Sequence, residues 1–263
     1  MFFRLSKNLV NFFRNFEIPQ IVTINIIPEE SSSYGNDPPV RKFICNSVIL
    51  ALHSEKFKRI ISAGTDEINI RNFSTPGGVE IVRHCIEFMY GDRAAVSRTY
   101  DIIGVCKFAD VWEIPSLWVA GLNQIKTDLS RAPCKLFEFH QLLSIVTERN
   151  LQHEELWREF DKTARENADS LIEHVMGLPV LQNIDDRICK GLIKNSKTAV
   201  CGQFITSLIN ESDDSREFVL QNVQLIPVAT AFSDETEFLQ FKSLLLPWER
   251  GQLASTTAEF YKH

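Results

Sequence analysis

The feature that most constrains this chain is a pair of phrases between Phe43 and Gly91, each beginning with strand spacing and continuing with helix spacing. The first reads FICNSVILALHSEKFKRII. After a short apolar strand, Val48, Leu52, Phe57 and Ile61 fall on one helical face, and Ile49 and Ile60 widen that face until little of the segment is left for solvent. The second reads INIRNFSTPGGVEIVRHCIEFMYGD. Ile68 and Ile70 alternate with Asn69 and Arg71, as in a strand buried on one side, and Val79, Val82, Ile86, Met89 and Tyr90 follow at helical spacing. Ser74-Thr75-Pro76 lies between. A hydroxyl residue before proline marks a helix start, because proline lacks an N–H that the first turn would not have used.

With 263 residues, 44% of them hydrophobic and 19 of them phenylalanine, the chain can build one large core or two ordinary ones. A formal net charge of −6 argues against nucleic acid as a partner, since phosphate neutralisation needs a lysine and arginine surplus on some face. No apolar run approaches the roughly 20 residues that cross a bilayer. Cys45, Cys85, Cys106, Cys134, Cys189 and Cys201 are scattered with no C-x-x-C pair, and read as buried free thiols in a reducing compartment, cytoplasmic or nuclear. The histidines show no ligand spacing, so no metal and no cofactor is expected.

Catalytic motifs are equally missing. There is no phosphate-cradling glycine loop and no nucleophile elbow, and Gly77-Gly78 is explained by a tight turn at a helix start. His84 beside Cys85 cannot form a nucleophilic pair, because adjacent helix residues point about 100° apart. Glu154-Glu155 and Asp185-Asp186 read as solvated charge on polar helix faces. The chain is not expected to be an enzyme.

The two phrases resemble the BTB/POZ family. Phe43, Cys45, Ile49, Leu50, Ala51, Ser54 and Phe57 match its first conserved phrase, and Phe73, Ser74, Pro76, Val79, Ile86, Phe88, Tyr90 and Gly91 its second. The similarity runs from about Leu5 to Ile125. VTINII, from Val22 to Ile27, is the strand expected before them, with Ile21 where the family usually carries aspartate. TYDIIGVCKFADVWEIPSLWVAGLNQI is similar to the family's ending. It places Ile102, Ile103, Cys106, Phe108 and Ala109 on a helix, a second short helix after Pro115, and Trp112 and Trp118 in the core. PEESSSYGNDPPV, residues 28–40, reads as a solvated hairpin loop.

After Lys126 one helical pattern follows another. Leu136, Phe139, Leu143 and Val146 form one stripe; Leu156, Phe160, Ala164, Leu171 and Val175 continue it. ENADSLIEHVMGLPVLQNIDDRICKGLIKN is similar to the BACK domain, a helical module, with Asn195 where aspartate is usual. The resemblance implies an α+β BTB/POZ fold over residues 1–126, an all-α BACK-like domain over 127–248 and a tail over 249–263. No internal period of about 45 to 50 residues marks propeller blades.

Residues 1–16 place Phe2, Leu5, Leu9, Phe12, Phe13 and Phe16 on one side of a helix, with Arg4, Lys7 and Arg14 as the only charges. A mitochondrial presequence and a membrane-surface helix both fit this composition. The family resemblance implies instead the first BTB helix, which packs across a dimer partner through Leu5, Leu9, Phe12, Phe13 and Phe16. It further implies a non-catalytic interaction scaffold that self-associates, binds an unidentified protein client and serves as a substrate adaptor of a cullin-3 ubiquitin ligase. The cullin-type surface falls at Ile60, Ile61, Asp66 and Glu67. Threonine stands in Thr65-Asp66-Glu67 where that contact has an apolar residue, and ISAGTDE holds at most one turn of helix, so the sequence predicts weak or absent cullin binding by residues 1–126. The alternatives are a scaffold of a nuclear or cytoskeletal complex without ubiquitin chemistry, and a peripheral membrane protein held by the first helix.

Overall fold

The computed structural model describes residues 21–27, 41–73, 75–145, 151–177, 185–222, 226, 231–233, 235–246 and 250. The amphipathic segment 1–16, the loop 28–40, Val146 and the tail expected over 249–263, Arg250 apart, fall outside them. The fold is α+β. The chain divides into two compact units, residues 1–125 and 126–263.

The first unit is built on strands β1 (Ile21–Ile26), β2 (Arg41–Asn46) and β3 (Glu67–Ile70), in the order β2-β1-β3. β1 pairs antiparallel with β2, Val22 opposite Cys45 and Ile24 opposite Phe43, and parallel with β3, Ile24 beside Ile68 and Ile26 beside Ile70. Because side chains alternate along a strand, this register turns Val22, Ile24, Ile26, Cys45, Ile68 and Ile70 to one face, where all are buried.

β2 brings the chain back to the end where β1 starts, and α1 (Ser47–His53) and α2 (Glu55–Ser62) link it from there to β3 on the other flank of β1. The single apolar face expected over Val48, Leu52, Phe57 and Ile61 is divided. Ser54 is extended, at φ −138° and ψ 122°, and serves both helices: its N–H donates to Leu50 O at 3.1 Å, and its hydroxyl accepts the Phe57 N–H at 2.9 Å. The break resets the helical phase. Leu50 and Ala51 turn inward in α1, Phe57 and Ile61 in α2, and Leu52 stays 44% exposed.

Helices α3 (Pro76–Met89), α4 (Ala95–Arg98), α5 (Ile102–Val111) and α6 (Pro115–Arg131) complete this part of the chain. Thr75 caps α3, its hydroxyl accepting the Gly78 N–H at 3.1 Å. Gly104 lets α5 lie close to α3, since a Cβ there would sit 2.4 Å from Ile81 Cδ1. The C-terminal end of α5 is held by side chains of α2 and its cap. Lys56 Nζ donates to Val111 O at 2.8 Å, the Ser54 hydroxyl donates to Trp112 O, and Phe57 stacks on the Trp112 ring at 4.6 Å. Trp112 and Trp118 are buried. The helix from Pro115, expected to be short, runs 17 residues because Trp118, Leu122, Ile125 and Leu129 keep burying one face.

In the second unit a 3₁₀ turn (Pro133–Lys135) leads into α7 (Leu136–Phe139) and α8 (Leu142–Ile145). The continuous stripe expected from Leu136 to Val146 is therefore interrupted, and Leu142 rather than Leu143 is buried. Then follow α9 (Leu151–Glu166), α10 (Ala168–Met176), α11 (Asp186–Asn195), α12 (Val200–Glu211), α13 (Asp213–Gln221) and α14 (Glu235–Leu244). Leu156, Phe160, Ala164, Leu171 and Val175 are all buried. Asp169 fastens α10 to the turn after α11, accepting from the Ser196 hydroxyl, the Lys197 N–H at 3.1 Å and the Thr198 hydroxyl at 3.1 Å. Burial pushes its carboxyl up, but the hydrogen bonds from Ser196, Lys197 and Thr198 together outweigh that and hold it below the usual carboxylate range.

Two consequences are measurable. A Cβ on Gly202 would fall 2.1 Å from Ala231 O and 2.9 Å from the Phe232 ring, so Gly202→Ala lowers stability by about 1–3 kcal/mol in urea titration. Gly77→Ala, with nothing within 4 Å of the new Cβ, is neutral or mildly stabilising. Asp169 is lower in the folded than in the unfolded chain, so its contribution is complete above the unfolded carboxylate value of about 4 and is lost as pH falls through the folded value. The stability advantage of the wild type over Asp169→Asn, present at neutral pH, therefore shrinks in titrations stepped below about pH 4.

Candidate interaction surface

The register that buries Ile24 and Ile68 also decides what the other sheet face carries. Ile21, Thr23 and Asn25 of β1, Lys42, Ile44 and Asn46 of β2, and Glu67 and Asn69 of β3 all turn to the opposite face, where Asn25 is buried, Thr23 half-buried and the others exposed. Thr23 stands opposite Ile44 and beside Glu67, and Ile21 opposite Asn46. Ile21 and Ile44 are thus diagonal neighbours, roughly 7–8 Å apart by sheet geometry. They are 62% and 76% exposed. Asn25 ties the strands together from this side, its Nδ2 donating to Asn69 Oδ1 at 3.2 Å and Glu67 Oε2 at 3.4 Å, while its buried Oδ1 has no partner among the described residues.

Ile21 at the start of β1 and Ile44 on the edge strand β2 form an exposed apolar pair that invites contact, since covering each side chain is worth up to about 1.5–3 kcal/mol. Ile44 carried no sequence signal. In Phe43-Ile44-Cys45 three apolar residues stand in a row, so alternation alone does not assign a face; the pairing with β1 does. Tyr90, expected on the apolar face of α3, lies beyond its last residue, 48% exposed, and its hydroxyl oxygen accepts the Asn46 N–H at 2.6 Å. Tyr100 is fully exposed.

The cullin-type residues do not share one surface. Ile61 points into the core at 1% exposure and Ile60 is half-buried, whereas Asp66 and Glu67 are exposed. Helix α2 ends at Ser62 and β3 begins at Glu67, leaving a turn with Gly64 at φ +82°. Asp66 O accepts the Thr23 N–H at 2.8 Å, which fixes the turn to the sheet. The stripe residues Leu5, Leu9, Phe12, Phe13 and Phe16 lie outside the described residues.

Beside the turn, Arg59 of α2 pairs with Glu113 at 2.7 Å. Glu113 is the one non-glycine at positive φ among the described residues, at 51°. Farther round, α3 carries Arg83 between Glu80 and Glu87, and Arg98 bonds to Glu87 and Asp92. The two signs alternate, so this face carries no strong field of either sign.

No grouping of three histidine, cysteine or acidic side chains able to hold a metal ion occurs among the described residues. Cys45, Cys85, Cys106, Cys189 and Cys201 are buried and Cys134 half-buried, all as free thiols. Burial pushes the Cys45 thiol up to about 11 and those of Cys106, Cys189 and Cys201 up to about 12. His84 turns to Glu87, Nδ1 to Oε2 3.1 Å, and not to Cys85. No described helix is long and apolar enough to cross a membrane.

Against this geometry, residues 37–129 match the family model of the BTB/POZ domain. A BTB/POZ domain is found here. Such domains are typically non-catalytic modules of protein interaction. β1 precedes the matched stretch, yet it is the central strand between two strands of the BTB/POZ domain. Comparison with curated proteins finds no match.

Truncation separates core from surface at the cullin-type residues. Ile61→Ala costs about 2–5 kcal/mol of stability, and Asp66→Ala stays within about 0.5 kcal/mol, when both are measured by urea unfolding followed by circular dichroism.

Proposed function

We propose that this chain is a non-catalytic interaction scaffold that self-associates through its BTB/POZ half. The observation that carries the reading is the isoleucine pair on the outer sheet face, Ile21 and Ile44, left open by the same register that builds the core. The apolar stripe of Leu5, Leu9, Phe12, Phe13 and Phe16 precedes β1 in sequence and supplies the larger apolar area for a second copy. In this reading the BTB/POZ half spans residues 1–126, a BACK-like helical domain spans 127–248 and carries the client, and 249–263 is a tail. The protein works in the cytoplasm or nucleus, without cofactor or metal.

A cullin-3 adaptor role is a second form of the same scaffold. The turn between Ser62 and Glu67 weighs against it, because it leaves Asp66 and Glu67 with no apolar anchor, and exposed charge alone gives little affinity. A scaffold of a nuclear or cytoskeletal complex uses the same self-association without that contact. Calorimetry of the full chain with cullin-3 separates the two: submicromolar binding that is lost on Glu67→Lys moves the reading to the adaptor.

Light scattering of the full-length chain at tens of micromolar tests self-association. The expected mass is twice that of the 30.1 kDa chain. Ile21→Glu combined with Ile44→Glu returns it to a single chain length with an unchanged helical spectrum. A wild type that stays at the monomer mass overturns self-association and returns residues 1–16 to the membrane-surface reading, which predicts flotation with anionic vesicles.

A further inference from the structure

The hydrogen bonds of β1 fix which way the main chain of its neighbour faces. The Thr23 N–H donates to Asp66 O at 2.8 Å and the Ile27 N–H to Ile70 O at 2.9 Å, both toward β3. Along a strand the N–H and C=O of one residue point to one flank and those of the next residue to the other, so Val22, Ile24 and Ile26 serve β2. Their partners there are Cys45, Phe43 and Arg41. The N–H and C=O of Lys42 and Ile44 therefore turn away from β1, and β2 is the outermost strand on that side. The Asn46 N–H faces the same way and is taken by the Tyr90 hydroxyl oxygen at 2.6 Å. Among the described residues, Lys42 and Ile44 are left as a short open edge.

The side chains along this edge select what can join it. Arg41 and Lys42 are exposed, and neither makes an ion pair among the described residues. Ile44 is exposed on the outer face of the sheet, and Phe43 is half-buried on the inner one. A second β2 fits poorly. Two copies pairing edge to edge through Lys42 and Ile44 set the two Lys42 side chains as diagonal neighbours, like charge near like, which is how edge lysines keep sheets from joining. The net charge of −6 on the whole chain does not reverse this local preference, since salt screens exposed charge beyond roughly 8 Å under physiological conditions.

We propose that the open edge of β2 takes up an extended acidic segment of another protein as a fourth strand. The main chain of that segment bonds to the N–H and C=O of both Lys42 and Ile44, which gives affinity without regard to sequence. Its side chains give the selection: carboxylates lie beside Arg41 and Lys42, and apolar residues between them cover the flank of Ile44 on one face and of Phe43 on the other. A basic segment meets two like charges at the same positions. The contact runs in the plane of the sheet, whereas the isoleucine pair that carries self-association projects from its face. The proposal therefore does not rest on self-association, which light scattering reads separately.

The test is fluorescence polarisation with labelled, end-capped heptapeptides titrated with the full-length chain at physiological salt. Glu-Glu-Val-Val-Val-Glu-Glu has the same pattern read in either direction, so it can pair antiparallel or parallel, and Lys-Lys-Val-Val-Val-Lys-Lys is its charge-reversed counterpart. A third peptide repeats the acidic one with N-methyl groups on two adjacent valines, one of which faces β2 in any register. The acidic peptide is expected to bind at least tenfold more tightly than the lysine peptide and at least tenfold more tightly than its N-methylated form. Arg41→Glu combined with Lys42→Glu reverses the order of the two charge patterns, with circular dichroism melts confirming that the variant is folded. If it is not, the N-methylated comparison on the wild type decides alone. No saturable binding of the acidic peptide, equal binding of the two charge patterns, an N-methylated peptide as tight as its parent, or an order unchanged in the folded charge-reversed variant overturns the proposal.

Discussion

The hydrogen bonding of β1 on both flanks is the constraint from which the first unit follows. One flank is antiparallel and the other parallel, so β2 ends at the end of the sheet where β1 begins, β3 starts at that same end on the other flank, and the link between them has to pass over β1. The crossing segment is α1 and α2, and the face it covers is the one that Val22, Ile24 and Ile26 supply. A slip of one residue would exchange these three with Ile21, Thr23 and Asn25 and put a threonine and an amide under the helices. Core and contact surface are therefore one decision. The pairing that makes Ile24 inaccessible is the pairing that leaves Ile44 in solvent.

A second constraint fastens the helical layer. Ser54 ends one helix, starts the next and donates to the end of a third, while Lys56 satisfies the neighbouring carbonyl of that third helix and its ammonium lies over the Trp112 ring at 4.8 Å. The chain then reverses through Glu113 in the left-handed region, a conformation that costs a non-glycine residue about 1–2 kcal/mol and persists because both sides of the turn are already held.

Much of this was readable from residues alone. Strict alternation identified Ile68 and Ile70, the hydroxyl before Pro76 identified the start of a helix, and unbroken three-and-four spacing identified Leu156, Phe160 and Ala164 as one buried face. The failures share a cause. Helical periodicity passes through Ser54 without a glycine or proline to interrupt it, and it passes through residues 139–142 in the same way, so hydrogen bonds that end a helix leave no mark on apolar spacing. At Ile61 the two sequence readings differ, helical spacing placing it on the apolar face and the family resemblance on a contact surface, and the fold buries it. A polar-walled cavity between α12 and α14 was invisible for a different reason: Gln203, Ser207 and Asn210 look like any solvated helix face until α14 is placed opposite them.

The buried thiols give the molecule a chemistry of its own opening. Burial pushes the Cys45 thiol up to about 11 and those of Cys106, Cys189 and Cys201 up to about 12, which disfavours the reactive thiolate at neutral pH, and burial adds a steric barrier to any alkylating reagent. Each side chain becomes reactive only when its surroundings part. Cys45 and Cys106 lie in one unit, Cys189 and Cys201 in the other, so the rate at which each is alkylated is a clock for the breathing of its own half of the chain, set into the native sequence without a label.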